Sequence, residues 1–359
     1  MSQDQSAHFI RGWTVIIAII SGIQNFILFI ASSSRTSHLT PNRMKPYRIL
    51  INTILLLSGM AVLLACSPSD KSGAAEPQAW SLTGDALYPP DFEEATLTRL
   101  TAQYEEALRD FETDPANPET IIWAGRRAAY LWQYREAIDW FTSGIEQFPD
   151  DARLYRHRGH RYITVREFGK AVADFDRAVE LIRGTDDEIE PDGAPNQYGI
   201  PVSTLHFNIW YHKALAHFLQ GDYEQARNAW EACMEVSENN DMLVATSDWL
   251  WITYRRLGLH DDAARLLEPI HTGMELLEND VYLKRLLMYK GEIDPDELLR
   301  ADESSPLALA TQGYGVANYH METGDEEKGL NIMRDILESG YWSAFGFIAA
   351  EADLARSEY

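Results

Sequence analysis

The strongest constraint on the fold is a repeat of about 34 residues between Pro118 and Leu181. When the sequence is compared with itself at this offset, small residues align with small residues and aromatic residues with aromatic residues. The matching positions are Gly125 with Gly159, Ala137 with Ala171, Phe141 with Phe175, and Gly144 with Ala178. Such a period is typical of a helix-turn-helix unit that cannot bury its apolar face alone and must stack on further copies.

At these residues the sequence resembles the tetratricopeptide repeat. Small residues stand at Gly125, Ala137 and Gly144, an aromatic ring stands at Phe141, and Pro149 closes the unit. The resemblance implies an all-α fold, a right-handed α-solenoid of stacked helix-turn-helix repeats. It also implies a scaffold that binds other proteins, not an enzyme, and it leaves the partner and the pathway open.

The repeat pattern continues beyond the two clearest copies, so we expect residues 91–359 to form one solenoid. Small residues are predicted where two helices cross closely, and aromatic rings are predicted to fill the gap to the next repeat. The predicted units are a capping helix at 91–112, repeats at 118–151, 152–183, 207–238 and 241–270, a degenerate fifth repeat with helices around 279–290 and 294–301, a sixth at 307–337, and a final helix at 342–356 that covers the exposed end.

An insertion at 184–205 separates the second repeat from the third. It adds about 21 residues without a helical period, and a segment of this kind is either functional or mobile. Its carboxylates at 186, 187, 188, 190 and 192 lack the ordered spacing of a calcium-binding loop. We therefore interpret it as a solvated acidic loop.

The chain is strongly acidic, with a formal net charge of −24. Removal of residues 1–65, which hold five Lys or Arg and one Asp, would change the charge to −28. Such a surface repels phosphate backbones and anionic lipid headgroups, so we expect no nucleic-acid partner. Of the two cysteines, Cys233 falls at a small-residue position of a repeat helix and is predicted to be a buried residue outside any disulfide.

Residues 44–65 have the layout of a secretory signal peptide. Lys45 and Arg48 precede an apolar run from Ile49 to Leu64, and the run ends in Leu63-Leu64-Ala65-Cys66. This end resembles the lipobox of bacterial lipoproteins, which implies a lipid anchor on Cys66 and a periplasm-facing protein in the cell envelope. Ser67, where a protein retained in the inner membrane would often carry Asp, favours the outer membrane by the same resemblance.

The segments on either side of Cys66 are interpreted from composition. Residues 66–90 are rich in Ser, Gly, Ala and Pro and are predicted to be a flexible tether. Residues 1–43 contain a second apolar run, Thr14 to Ala31, of barely membrane-spanning length. Our preferred hypothesis is that translation starts at Met44 and that 1–43 is a mis-called extension; the alternative is a real first helix.

Motifs of catalysis are not found in the sequence, which lacks a GxSxG elbow, an HExxH pair and a Walker loop. We therefore expect no catalytic residues and no cofactor. His157 and His160 are three residues apart and would need a third ligand to hold zinc, while His206, His212 and His217 are scattered around a helix. No metal site is predicted.

Arginines concentrate on the first two repeats, with eight between Arg126 and Arg166. In the family that the sequence resembles, the first helix of each repeat lines the concave side, and related proteins clamp peptide carboxylates there. The resemblance implies a peptide-binding groove at Arg126, Arg156, His160, Asn208, Tyr211 and Arg255. The planar guanidinium suits carboxylates. The alternative is that these arginines pair with nearby acids such as Glu136, Asp139, Asp150 and Asp151.

Two functional hypotheses follow. In the first, the chain is a membrane-tethered periplasmic scaffold that binds a protein or an anionic peptide in its concave groove, with envelope assembly as one role. In the second, it is a small-molecule-binding protein or hydrolase with its site under the 184–205 loop, near Arg156 and His160. The second requires a deep pocket in which a histidine and a carboxylate converge, whereas the first requires an open channel.

Overall fold

A computed structural model describes residues 76–193, 195–301 and 306–357. The described residues from Pro77 onward belong to one compact unit. The predictions for the extension at 1–43, the signal peptide at 44–65 and the lipidation of Cys66 lie outside the described residues.

The described residues form two short strands and fourteen helices, which confirms the all-α solenoid. The strands are β1 (Ala79–Trp80) and β2 (Ala86–Leu87). The helices are α1 (Glu94–Thr113), α2 (Pro118–Tyr130), α3 (Tyr134–Gln147), α4 (Ala152–Thr164), α5 (Phe168–Leu181), α6 (Leu205–Gln220), α7 (Tyr223–Glu235), α8 (Asn240–Arg256), α9 (His260–Leu266), α10 (Asp280–Tyr289), α11 (Pro295–Ala301), α12 (Pro306–Glu322), α13 (Glu326–Glu338) and α14 (Phe345–Ser357).

From α2 to α13 the helices pack as six consecutive pairs, each of which corresponds to one repeat. The crossing within a pair depends on small residues. A Cβ atom at Gly125 would lie 2.5 Å from Phe141 Cε1, and one at Gly159 would lie 2.8 Å from Phe175 Cζ. Ala137 and Ala171 are fully buried. The aromatic ring of the second helix therefore rests directly on the backbone of the first, as the repeat pattern predicts.

The turn inside each pair contains one residue with positive φ. In the last four pairs this residue is a glycine, but in the first two pairs it is Trp132 (φ 58°) and Arg166 (φ 64°). A side chain in this conformation costs roughly 1–2 kcal/mol. The four glycines are Gly221, Gly258, Gly291 and Gly324.

Both strained side chains contact the C-terminal end of the solenoid. The ring of Trp132 packs edge-on against Trp342, with the centroids 5.0 Å apart. Arg166 forms an ion pair with Glu351 of α14 at 2.7 Å, and both side chains are almost fully buried. The final helix, predicted only to cover the exposed end, packs on α12 and α13 and also returns to contact α6 and, through Glu351, the second pair. Trp342, just before this helix, contacts the first pair. We call this arrangement the closing contact.

Residues 76–90 are ordered, so the flexible tether predicted for 66–90 is wrong over this part. Strands β1 and β2 pair antiparallel, with Ala79 opposite Leu87. Arg135 Nε donates to the Gln78 carbonyl at 2.9 Å, and Trp342 Nε1 donates to the Tyr88 carbonyl at 2.7 Å. Composition favours a flexible segment here, but the partners that order it come from distant parts of the sequence.

Among the residues that the structure describes, none of the helices combines the length and the apolar character that a membrane span requires.

We predict that Phe175→Ala lowers the free energy of unfolding by about 3–5 kcal/mol, because it removes a fully buried ring and leaves a cavity over Gly159. Urea unfolding followed by circular dichroism measures the change. Tyr198→Ala is the control, since that ring is 58% exposed and its loss should cost less than about 0.5 kcal/mol. Equal effects of the two substitutions would contradict the packing described for Phe175.

We also predict that Arg166→Met destabilises the chain by about 3–5 kcal/mol, because it leaves the Glu351 carboxylate buried without its cation. The double variant Arg166→Met with Glu351→Leu should recover part of the loss. Arg177→Met is the control, since its pair with Asp150 is exposed and should contribute at most about 1 kcal/mol. Thermal unfolding midpoints would show the difference, and an Arg166→Met midpoint equal to that of the control would argue against the closing contact.

Candidate functional site

The first helices of the pairs contact one another in order along the solenoid. They form one side of it, here called the inner side. All the residues predicted for the groove lie on these helices. They are Arg126 on α2, Arg156 and His160 on α4, Asn208 and Tyr211 on α6, and Arg255 on α8.

Part of the insertion lies against this predicted groove. We call residues 187–193 the acidic segment. Glu190 Oε2 lies 3.0 Å from Arg156 Nε and accepts a hydrogen bond from Asn208 Nδ2 at 3.2 Å. Arg126 donates to the Pro191 carbonyl at 2.7 Å. The open groove predicted at Arg126, Arg156 and Asn208 is therefore wrong for this conformation, because the chain itself occupies those positions.

The Arg156–Glu190 pair is deeply buried, with side chains 9% and 10% exposed. Burial lowers the pKa of Arg156, and the neighbouring Glu190 carboxylate opposes that shift. A guanidinium in such a place requires a carboxylate partner, since removal of one member of a buried pair leaves a charge without compensation.

The rest of the acidic segment is held in place by α6 and the residues before it. The Glu190 amide donates to the Ser203 carbonyl at 3.0 Å, and Ile189 forms an isolated bridge with Thr204. Asp187 Oδ2 accepts from the hydroxyl of Thr204 at 2.6 Å. The interpretation of the insertion as a solvated acidic loop is wrong at Asp187 and Glu190, because both carboxylates have partners at or beside the helix ends.

His160 belongs to an aromatic cluster on the inner side. Its ring centroid lies 4.4 Å from that of His212 and 5.2 Å from that of Phe345. Burial lowers the pKa of His160 and of His212 well below the usual range, and nearby arginines lower both further. These imidazoles are therefore neutral at physiological pH and pack as rings. His212 Nδ1 donates to the Asn208 carbonyl at 2.6 Å, which fixes its tautomer.

The two remaining predicted groove residues are Tyr211 and Arg255. Their partners lie away from Arg126 and Arg156. The Tyr211 hydroxyl lies 3.3 Å from that of Tyr282, and burial raises the pKa of Tyr211 well above its usual range. Arg255 Nε donates to Glu322 at 2.9 Å. The structure thus brings Arg126, Arg156 and Asn208 together and places Tyr211 and Arg255 elsewhere.

Five of the eight arginines form ion pairs, as the alternative interpretation expected, but among the predicted acids only Asp151 takes part in these five. The pairs are Arg135 with Glu167, Arg153 with Asp151 and Glu119, Arg156 with Glu190, Arg158 with Asp174, and Arg166 with Glu351. Arg161 differs from them: its guanidinium lies over the ring of Tyr134 at 5.6 Å, and burial lowers the pKa of Arg161 to about 10.

A pocket of about 320 Å³ opens at the middle of the inner side; we call it the central pocket. Four of the six pairs, together with α14 and the residues before it, contribute side chains to it. They include His160 on α4, Trp249 on α8, Tyr282 and Arg285 on α10, Thr311 on α12, and Phe345 on α14. Because these helices are far apart in the sequence, only the closing contact and the stacking together create the pocket.

Arg285 is the only charged side chain that the described residues contribute to the central pocket, and a carboxylate below the pocket neutralises it. Arg285 pairs with Asp248 at 2.7 Å, and both side chains are at most 1% exposed. Arg285 also donates to the Thr311 carbonyl at 3.0 Å. Burial raises the pKa of Asp248 to about 6, and Arg285 opposes that shift. The pocket therefore has a rigid, charge-balanced wall and aromatic sides, which suit an apolar or aromatic group.

The cleft under the insertion does not have the form that the hydrolase hypothesis requires. It measures about 140 Å³ and is lined in part by Arg126, His157 and Glu190. His157 Nε2 lies 3.9 Å from Glu190 Oε1, but this carboxylate is held by Arg156, and burial lowers the pKa of His157 well below its usual range. Within the described ranges, no group of three or more His, Cys, Asp or Glu residues could hold a metal ion.

Sequence reasoning missed several residues of these sites. Tyr282 and Arg285 lie in the degenerate fifth pair, and Phe345 begins the final helix, so no repeat signature marks them. Glu190 carried a signal that could have been used: it lies in an acidic insertion that follows the arginine-rich repeat at 152–183, and opposite charges of this kind pair when they are buried.

Comparison with known proteins identifies one repeat by sequence. Residues 207–240, which cover α6 and α7, match the tetratricopeptide repeat family model. No curated protein matches the chain.

Several solved structures match over much of the chain at low identity. YrrB, described as a TPR protein with an unusual peptide-binding site, is 12% identical, with 67% of this chain and 96% of that chain covered and a TM-score of 0.38. A tetratricopeptide repeat protein from Parabacteroides merdae is 16% identical, with 73% and 94% covered and a TM-score of 0.45. BtubC from P. vanneervenii is 14% identical, with 75% and 94% covered and a TM-score of 0.40.

Proposed function

We propose that this chain is a lipid-anchored scaffold of a bacterial envelope and that it holds a protein partner on the inner side of its solenoid. The observation that carries the proposal is the central pocket, which is assembled from distant repeats around aromatic side chains. The tetratricopeptide repeat match at 207–240 supports a binding scaffold. The localisation rests on the sequence Leu63-Leu64-Ala65-Cys66 at the end of a signal-like apolar run.

The partner is inferred from the chemistry of the central pocket. Its volume of about 320 Å³ is at the lower end for ligand sites. Such a space accommodates one large apolar or aromatic side chain presented by an extended segment. Leu307, at the rim, is 47% exposed and offers an apolar edge to that segment. A partner that inserts one aromatic residue here would gain a buried anchor of the kind that dominates protein interfaces.

Charge supports a partner segment that is also anionic. The chain as a whole is acidic, but the inner side of α2 and α4 carries Arg126, Arg156 and Arg161, and the charges of Arg156 and Arg126 add to burial in lowering the pKa of Arg161. An acidic segment of a partner would be repelled by most of the surface and attracted to this part of the inner side.

The anchor on Cys66 explains how such a scaffold stays at the membrane. Acyl chains tether a protein without spanning the bilayer, and more than one chain makes the tether stable. Only about ten residues separate Cys66 from Glu76, where the described residues begin. They would hold the solenoid within roughly 35 Å of the lipid surface when fully extended.

We predict that Thr311→Trp fills the central pocket and abolishes partner binding without loss of helical structure. The control is Thr323→Trp. Both hydroxyls bond to the carbonyl four residues earlier, but Thr323 is exposed and outside the pocket. Affinity purification from cross-linked membranes, with quantitative mass spectrometry, compares the two variants with the unsubstituted chain. The proposal fails if every partner of the control is also retained by Thr311→Trp.

We predict that Cys66 is the only acylated residue. Metabolic labelling with a palmitate analogue should mark the unsubstituted chain and Cys233→Ala but not Cys66→Ser. Cys233 is the natural control because it is fully buried, and burial raises the pKa of its thiol to about 12, which keeps it protonated. Label on Cys66→Ser, or a mature peptide that begins before residue 66, would contradict the anchor.

A further inference from the structure

We infer that the acidic segment is an internal ligand: it occupies, as a bound peptide would, a basic cleft that takes an extended acidic segment of a partner protein. The inference rests on the proposed scaffold function and adds the chemistry of a second ligand site and its occupancy. We call this site, formed by Arg126, Arg127, Tyr130, Arg156 and Asn208, the basic cleft.

The contacts are those of peptide recognition. One carboxylate, from Glu190, is bound by Arg156 and Asn208 at 3.0 and 3.2 Å. Two backbone carbonyls further along the segment are bound by arginines: Arg126 donates to Pro191 at 2.7 Å, and Arg127 donates to Gly193 at 3.2 Å. Arginine side chains that bind a carboxylate and backbone carbonyls would bind any peptide with the same spacing of these groups, whether or not it belongs to this chain.

The end of the cleft selects a residue without a side chain. A Cβ atom at Gly193 would lie 1.7 Å from the hydroxyl of Tyr130 and 2.9 Å from an Arg126 nitrogen. In this conformation the cleft fits a carboxylate followed three residues later by glycine, and a larger residue would require the Tyr130 and Arg126 side chains to move. In this chain that order is supplied by Glu190-Pro191-Asp192-Gly193.

The insertion is held weakly enough to be replaced. Three of its large apolar side chains point to solvent, with Ile189 67%, Tyr198 58% and Ile200 51% exposed, while Val202, outside the acidic segment, is buried. The acidic segment is thus held in the cleft by polar contacts with little apolar burial, and segments of this kind open at low free-energy cost.

Replacement requires another carboxylate. If Glu190 left without a substitute, Arg156, which is 8% exposed with the segment in place, would lose its carboxylate partner, which is unfavourable. The segment therefore leaves only when a competing acidic group enters. Because it is tethered, it competes at an effective concentration on the order of millimolar, so a partner must bind tightly or present several segments.

The test uses the segment as its own probe. A fluorescein-labelled peptide with the sequence of residues 187–193 is titrated into the full chain and into two variants, and fluorescence anisotropy reports binding. The first variant is Glu190→Gln. The second carries Gly-Ser-Gly-Ser at positions 189–192. This replacement empties the cleft even if the segment of the Glu190→Gln variant stays bound there. For at least one variant, we expect the apparent Kd for the labelled peptide to be lower than that of the unsubstituted chain by about tenfold or more.

Two controls make the result specific. Asp186→Asn removes one exposed carboxylate just outside the acidic segment and should behave like the unsubstituted chain. A peptide with glutamine in place of the glutamate at 190 should not bind. Binding to either cleft variant, with both controls negative, supports the inference. Absence of binding to both variants, with unchanged circular dichroism, overturns it, as does equal binding to the Asp186→Asn control.

The outcome is independent of the central pocket. Thr311 lies outside the basic cleft, so the loss of a partner in Thr311→Trp can be observed whether or not the peptide binds. A negative peptide result with a positive Thr311 result removes the internal-ligand inference and leaves the scaffold.

Discussion

The packing of an aromatic ring directly onto a glycine of the preceding helix determines the rest of this structure. At Gly125 and Gly159 the ring of the second helix takes the volume that a side chain would fill, so the two helices of a pair approach closely and present the same geometry to the next pair. This contact occurs in the first two pairs, and the stacking of all six pairs aligns the first helices on one side. The arginines, the histidines and the walls of the central pocket are neighbours only because this alignment is kept over all six pairs.

The ends of the array depend on a different interaction. Trp132 and Arg166 adopt a backbone conformation that the later repeats assign to glycine, and each side chain makes a contact that glycine could not make, with Trp342 and with Glu351. The strain at the two turns and the buried contacts of the final helix are parts of one arrangement. The insertion is also held by a buried contact between residues distant in the sequence, since the carboxylate of Glu190 compensates the buried charge of Arg156.

Much of the fold was predictable from the sequence because the repeat is local: the spacing of Gly125, Ala137 and Phe141 reports contacts within one helix pair. Even the degenerate fifth pair, at α10 and α11, is predictable, because Ala263 and Gly329 hold the same position in their repeats and the 66 residues between them correspond to about two repeats. The sites were less predictable because their contacts join distant residues. The sequence places Arg156 on the inner side, but nothing within its own repeat shows that Glu190 reaches it. The ordered hairpin at 79–87 was missed for the same reason, since its partners belong to α3 and to the residues before α14.

The closing contact has a consequence for how such a chain can change during evolution. An open array gains or loses units freely at its ends, because each unit touches only its immediate neighbours. In this chain the last helix and the residues just before it meet the turns of the first two units, so the deletion or duplication of an internal unit would shift Glu351 away from Arg166 and Trp342 away from Trp132. The number of units is therefore fixed, and variation is confined to loops, where the insertion between the second and third units is already an example.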